Sequence, residues 1–487
     1  MGRTTSLLLL AVIIGAFSAT DAVTNCSFEQ LVSYYDSAME HADLTTRYQS
    51  TNNLNGDIVW GAARYLISLA TMYEATGDTK YLDHAVLVCD ALMQQERDHG
   101  PDTDGVQRRG WPAGSRYLFS RPLVFRDERG APSLEVMAVN WGHNEQVDVS
   151  VVHDSDGSYN LLARFVAIGH TTRYNGLNQR NVVEKVNARA RPDACLWVRR
   201  LGSRPPAPVS EVRLPGHQVC FEILHNPRIL TGFLKFVIAV REHSAASIYQ
   251  RKADEYLAFV LEFEPSLLRW YEEDAGGGLL RMDSKLPFFQ AGLAAPNGAT
   301  SNCGRFFLHL HRLTGEVAHR DIALQMARRI LSSFYTEDGR IVIHYALGEH
   351  LAGWSSPGPS LWYPKFKGSK KVVDTSHFMP TMLFILDLYD YDYLTDTQYL
   401  NWLNRILKQT WHTEGFSYYI DGTGEADSET ASYTAGYFIL LPGLENATIN
   451  GLQRWYIEKY TRTNRGYIFN GWANFVRVAQ QRERTCD

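Results

Sequence analysis

Five times along this chain a helix-length run that is apolar nearly all round is followed by a run with a single apolar stripe. Ile58 to Tyr73 is the first such run, and Tyr81, Leu82, Ala85, Val86, Cys89, Leu92 and Met93 mark the stripe after it. Ile229 to Val240 precedes Tyr249, Ala253, Tyr256, Leu257 and Val260. Cys303 to Leu313 precedes Ile322, Met326, Ile330 and Leu331. Phe378 to Tyr389 precedes Leu400, Leu403, Ile406 and Leu407, and Tyr433 to Leu441 precedes Leu452, Trp455, Tyr456 and Tyr460. A helix apolar on every side must be covered on every side, whereas a one-stripe helix can cover it and still face water. The pairs therefore predict an inner and an outer layer, each pair stacking on the next. Phe28 to Met39 is outer in type and Tyr467 to Ala479 inner, so the chain's two ends complete a sixth pair. The expectation is a mainly α fold in which six inner and six outer helices close into a ring.

The connections are unequal. Inner-to-outer links are short (Gly77–Lys80, His243–Ser247, Thr314–Val317, Asp390–Thr397, Pro442–Thr448), and outer-to-inner links are mostly long. Long loops in a compact domain usually carry function. They all collect where the inner helices begin, which makes that end the candidate active face. The longest link has the alternation of strands in Leu134–Asn140, Val147–Val152, Tyr159–Ile168 and Gln218–Ile223, with Gly157 and Gly202 as turns. Arg204-Pro-Pro-Ala-Pro-Val209 reads as a stiff linker. The expected organisation is an export signal over 1–22, a helical ring over 23–108 and 223–487, and an all-β insertion over 109–222.

Arg3, the apolar run Leu7 to Ala16 and the small residues before Ala22 have the form of a signal peptide. No later run approaches a membrane span, so the mature protein is expected to be secreted or lumenal. Asn25-Cys-Ser and Asn446-Ala-Thr are acceptor sequences for N-glycans. Six cysteines in such a compartment predict disulfides. Cys26 and Cys486 flank the first and last helices, and a bond between them would tie the ring shut. Cys195 and Cys220 share the strand-rich segment, while Cys89 and Cys303 fall on helices as buried thiols. A net charge of -5 excludes a basic nucleic-acid footprint. There is no Cys-x-x-Cys and no glycine-rich phosphate loop, and His309 and His311 point to different helix faces, so no metal or cofactor is expected.

Alternating inner and outer helices with long loops at one end resemble the (α/α)6 toroids. These include six-hairpin glycosidases, polysaccharide lyases and glucuronyl C5-epimerases. Tyr73-Glu-Ala-Thr-Gly-Asp-Thr-Lys-Tyr-Leu82 and Leu310-His-Arg-Leu-Thr-Gly-Glu-Val-Ala318 look like the inner-to-outer turns of such enzymes. The resemblance covers Ser27 to Gln481 apart from the insertion, and implies a sugar-binding cleft at the mouth of the ring.

Residues preceding the inner helices would gather there: Asn53, Asn55 and Asp57; His225 and Asn226; Asn297, Ser301 and Asn302; Asp374 and His377; Glu429 and Tyr433; and Arg465. Six helix N-termini would give the mouth a positive bias suited to a uronate carboxylate or a sulfate. Proton abstraction from a uronate needs a base near neutrality, a carboxylate neutraliser and a proton donor. His225, His377, Tyr433 and Asp374 are the catalytic candidates. Asn226, Asn302, Asp57, Asn55 and Arg465 are candidate binding residues, and Trp111 and Trp362 candidate sugar-stacking platforms. The structural alternative for Asp57, Asn302 and Asp374 is simple helix capping. Lyase or epimerase chemistry on an acidic poly- or oligosaccharide is the leading expectation. Hydrolysis by paired carboxylates and non-catalytic glycan binding are the alternatives. The acidic run Asp387–Asp392 keeps a terpene-cyclase-like reading as a remote one.

Overall fold

The twelve long helices that the alternation predicts are all present: α1 (Phe28–Ala42), α2 (Ala63–Thr76), α3 (Lys80–Arg97), α4 (Asn226–Glu242), α5 (Ser247–Leu261), α6 (Asn297–Thr314), α7 (Val317–Leu331), α8 (Thr375–Asp390), α9 (Gln398–Thr410), α10 (Ser428–Phe438), α11 (Asn446–Tyr460) and α12 (Gly466–Cys486). They come from a computed structural model that describes residues 27–486, apart from 52, 54–55, 98–108, 114–118, 121, 140–146, 167–168, 188–194, 216, 219, 222–224, 244, 283–291, 356–365, 413–414, 427 and 461–465.

The even-numbered helices pack side by side in chain order, and α12 returns to pack on α2. That contact closes the ring. Helices α3, α5, α7 and α11 each lie on the inner helix before them, and α1 lies on α12, as the sixth pair requires. Helix α9 reaches α8 through Phe334, whose ring lies 5.7 Å from Trp402 and 6.2 Å from Phe378. The fold is an (α/α)6 toroid.

Burial follows the two kinds of helix. Asn226 to Val240 of α4 is buried throughout except at Lys235. Outer α9 buries Leu403, Ile406, Leu407 and Thr410 and exposes much of the rest. Inner helices run parallel, as successive bonds between α6 and α8 show: Ser301 to Thr381 at 3.0 Å, Arg305 to Asp387 at 2.6 Å, His309 to Tyr391 at 2.8 Å. At the α10–α12 contact, a Cβ on Gly436 would lie 2.5 Å from the Cα of Gly471, so these two backbones touch.

The matching turns Thr76-Gly77 and Thr314-Gly315 share one mechanism. Each glycine is left-handed, with φ of 72° and 74°, and caps its helix. Each threonine hydroxyl then accepts from the amide two residues on, Asp78 at 3.1 Å and Glu316 at 3.2 Å. The chain ends meet where the Phe28 amide donates to Glu483 Oε1 at 3.3 Å. Cys26, Asn25 and the side chains of Cys486, Cys195 and Cys220 lie outside the described residues. Cys89 and Cys303 are buried free thiols, and Asn446 is exposed at the start of α11. Among the described residues no helix is long and apolar enough to cross a membrane.

Between α3 and α4 the chain forms two larger antiparallel sheets and a two-stranded one that pairs Pro112–Ala113 with Cys220–Phe221. In the first, β2 (Pro132–Val139) pairs with β1 (Leu123–Arg126) and β6 (Cys195–Arg200). The second has the order β5 (His170–Leu177), β4 (Tyr159–Phe165), β3 (Val147–His153), β7 (Val209–Arg213). Val136 and Ala138 of the first sheet share a core with Val149, Leu161 and Phe165 of the second. Met137 and Trp197, on the other face of the first sheet, join the helical core instead. The proline-rich piece after β6 is not a free linker. Arg204 O accepts from Ser133 Oγ at 2.6 Å, the Ala207 amide donates to Arg126 O at 2.8 Å, and Pro206 O lies 2.7 Å from His153 Nε2. Four of these strands, β1, β5, β6 and β7, lie outside the runs that the apolar alternation marks.

Candidate functional site

The long connections converge on the end where the inner helices begin. Val373 bonds Ile343 O at 3.0 Å, Thr375 bonds Tyr418 O at 2.8 Å, and Asn297 bonds Tyr345 O at 3.0 Å, all through backbone amides. Arg281 then grips both oxygens of Glu349 at 2.9 Å, joining the loop before α6 to the loop before α8. A Cβ on Gly298 would meet His377 O at 2.6 Å, so the first turns of α6 and α8 are in contact.

Asp374 is the N-cap of α8 and is 2% exposed. Its carboxylate accepts from the His377 amide at 3.0 Å and from Ser376 Oγ at 2.7 Å. Both of its oxygens also lie 2.8 Å from His377 Nδ1. Burial by itself would raise the Asp374 pKa, but the hydrogen bond and charge of His377 outweigh it and hold the carboxyl at about 2. An ionised acceptor on Nδ1 fixes that nitrogen as the donor and leaves Nε2 as the basic one. The His377 side chain is 45% exposed, and its Nε2 makes no bond among the described residues. Tyr345 stands edge-on to the ring at 5.3 Å. An imidazole oriented in this way and open to solvent has the chemistry that a general acid–base group needs. The capping role of Asp374 and its role as the orienting carboxylate are thus one arrangement.

A second cluster surrounds His225 at the start of α4. His225 is buried, lies 3.3 Å from Asn53 Nδ2, and meets the Trp60 ring at 5.9 Å. Trp60 is 40% exposed, and the guanidinium groups of Arg64 and Arg228 lie over it at 5.3 and 4.7 Å. It sits in a π-helical turn, Ile58–Ala62, that leads into α2. Its indole rests on Gly56, whose φ is 77° and where a Cβ would come within 2.5 Å. Both arginines are themselves buried. An exposed indole flanked by two guanidinium groups can stack on a ring and face an anion at once.

Trp111 is corrected from platform to core. It is 1% exposed, stacks on Phe263 at 5.6 Å, and spends its indole N–H on Leu92 O at 3.0 Å. Asn226, also buried, accepts from the Trp111 amide at 3.4 Å and so positions the incoming loop. Asn302 is 8% exposed within α6. Asp57 makes no capping bond and pairs with Arg47 at 3.6 Å near the surface. Asn55, Trp362, Arg465 and the side chains of Tyr433 and Glu429 lie outside the described residues.

Trp60, Arg64, Arg228 and Tyr345 were missed by sequence reasoning. A signal existed for the first three: a tryptophan and an arginine four apart in an otherwise apolar helix share one face, and Arg228 follows the His225–Asn226 cap. Tyr345 had none, because only the folded loops bring it to His377.

No family model and no curated protein matches this chain. Among solved structures, an inactive variant of an α-1,6-mannanase of Salegentibacter sp. HEL1_6 in complex with α-1,6-mannotriose aligns at a TM-score of 0.41 and 9% identity, over 92% of this chain and 98% of that one.

Proposed function

We propose that the protein is a carbohydrate-active enzyme whose mouth carries out proton transfer on a uronate-containing saccharide, as a lyase or an epimerase. The observation that carries this reading is the Asp374–His377 pair, with Nδ1 held by the carboxylate and the imidazole 45% exposed. In the proposed step His377 Nε2 takes the proton from C5 of the uronate, and the bonding electrons move into the adjacent carboxyl group. An epimerase returns a proton to the opposite face of C5. A lyase breaks the C4–O bond instead and protonates the departing oxygen, for which Tyr433, at the middle of α10, is the candidate acid. Neutralising the uronate carboxylate lowers the cost of that carbanion-like state. Arg64 and Arg228 beside Trp60 supply the cationic environment this requires.

The same reading takes the chain to be exported, with residues 109–222 as a β-rich insertion carried on the ring. The test is incubation with a panel of acidic and neutral polysaccharides. Ultraviolet absorbance from an unsaturated uronate marks a lyase, and exchange of the C5 hydrogen without cleavage marks an epimerase. New reducing ends with neither outcome mark the competing hydrolase, and would overturn the proposal.

A further inference from the structure

Toward the opposite end of the ring lies a cavity of about 640 Å³ to which all six inner helices contribute. Its origin is a difference in length. Helix α10 has 11 residues, against 14 to 21 in the other five inner helices. The ring is therefore short of side chains where its last turns would have been. The volume falls within the range of small-ligand sites, about 300–1,000 Å³.

Charge in this space is unbalanced. Four cationic side chains line it, against the carboxylates of Asp387 and Asp390. Arg305 is taken by Asp387 at 2.6 Å, with both groups buried. Arg477 is only 4.0 Å from Asp390, at the limit of an ion pair. Lys235 is half-buried and forms no hydrogen bond or ion pair among the described residues; it is the one break in the buried run of α4. Its charge is felt by Asp387 and Asp390, but these two carboxylates also face Arg305 and Arg477, so the lining stays cation-rich and would favour a bound anion. Asn470, Asn474 and Tyr437 share the lining with apolar side chains such as Ile67 and Leu383; Asn470 Nδ2 donates to the Tyr437 hydroxyl and Asn474 Nδ2 to Gly436 O, each at 2.8 Å, while Asn470 Oδ1 is buried without a partner. Cations, amides and apolar walls together suit a carboxylate carried on a hydroxylated ring.

We propose that this cavity binds a small sugar acid, with its carboxylate between Lys235 and Arg477 and a hydroxyl donating to Asn470 Oδ1. The site is separate from the mouth and does not depend on the chemistry proposed there.

The test is calorimetric titration of the full chain with D-glucuronate, D-glucose and inorganic phosphate. Glucuronate is expected to bind in the millimolar range, and glucose and phosphate each about tenfold more weakly or worse. Lys235→Met should weaken glucuronate about tenfold, Lys235→Arg should hold it within about threefold, and His377→Ala should leave it unchanged. Arg477→Gln, on a half-exposed side chain, should weaken binding too and serves if Lys235→Met does not fold. No binding of glucuronate overturns the proposal. So does phosphate binding as tightly as glucuronate, which would make this a site for any anion. Loss of binding in His377→Ala with full binding in Lys235→Met would place the ligand at the mouth and equally overturn it.

Discussion

Helix α8 carries two aspartates that each face a histidine, one at either end of the ring, and the two pairs behave in opposite ways. Asp374 holds His377 by Nδ1 at 2.8 Å, and the imidazole is 45% exposed. Asp387 lies 3.5 Å from His309 Nε2, and that imidazole is 0% exposed. Burial drives the His309 pKa well below its usual range, so the ring stays neutral, and its Nδ1 is occupied by Tyr391 at 2.8 Å. Burial would also raise Asp387, but Arg305 outweighs it and holds the carboxyl far below the usual range. The same two residue types therefore give an exposed, oriented imidazole at one end, the one proposed above for proton transfer, and a buried structural tie at the other. Exposure of the imidazole, more than the presence of the pair, separates the two.

The comparison breaks most readily at the buried end. Asp387→Ala leaves Arg305 as an uncompensated buried charge, and should cost about 3–5 kcal/mol of stability. Chemical denaturation measures this, and the mouth chemistry should survive in whatever fraction remains folded. His377→Ala should do the reverse, lowering kcat about a thousandfold with little change in denaturation midpoint. If either variant shows the other's phenotype, the two roles have been assigned to the wrong ends.

A pH scan sharpens the contrast. The folded pKa of Asp374, about 2, lies below the ordinary carboxylate value of 3.8. Its stabilisation is therefore fully present above about pH 4 and is lost as pH falls toward 2, amounting to about 2 kcal/mol. Melting temperature followed over that window should fall more steeply in the wild type than in Asp374→Asn. The smallest effect is expected from Trp60→Ala, which should raise KM for an acidic oligosaccharide about five- to tenfold with kcat nearly unchanged. A loss confined to kcat would remove Trp60 from the binding surface.

Periodicity was enough for the ring, because a helix buried all round and a helix buried on one stripe are distinct patterns in one dimension. It also placed Asp374 and His377 at a helix start on the loop-rich end, since the cap and Pro380 fix where α8 begins. What escaped was whatever depends on contacts between distant segments. Trp111 lies in a long loop yet inserts between Phe263 and Phe233, and loop position alone suggested a surface residue. Trp60 lies in an apolar run yet is exposed, because the π-helical turn and Gly56 lift it out of the core. Lys235 was hidden in the same way, as one polar residue in a buried helix. The cavity it lines arises from the length of a different helix.

The most direct test of the central claim is hydrogen exchange at C5 of a uronate oligosaccharide in deuterium oxide, comparing wild type with His377→Ala. Deuterium at C5, or unsaturated product, is expected with the wild type and neither with the variant. Cleavage by the wild type without deuterium or unsaturation, or equal exchange by both proteins, would contradict it.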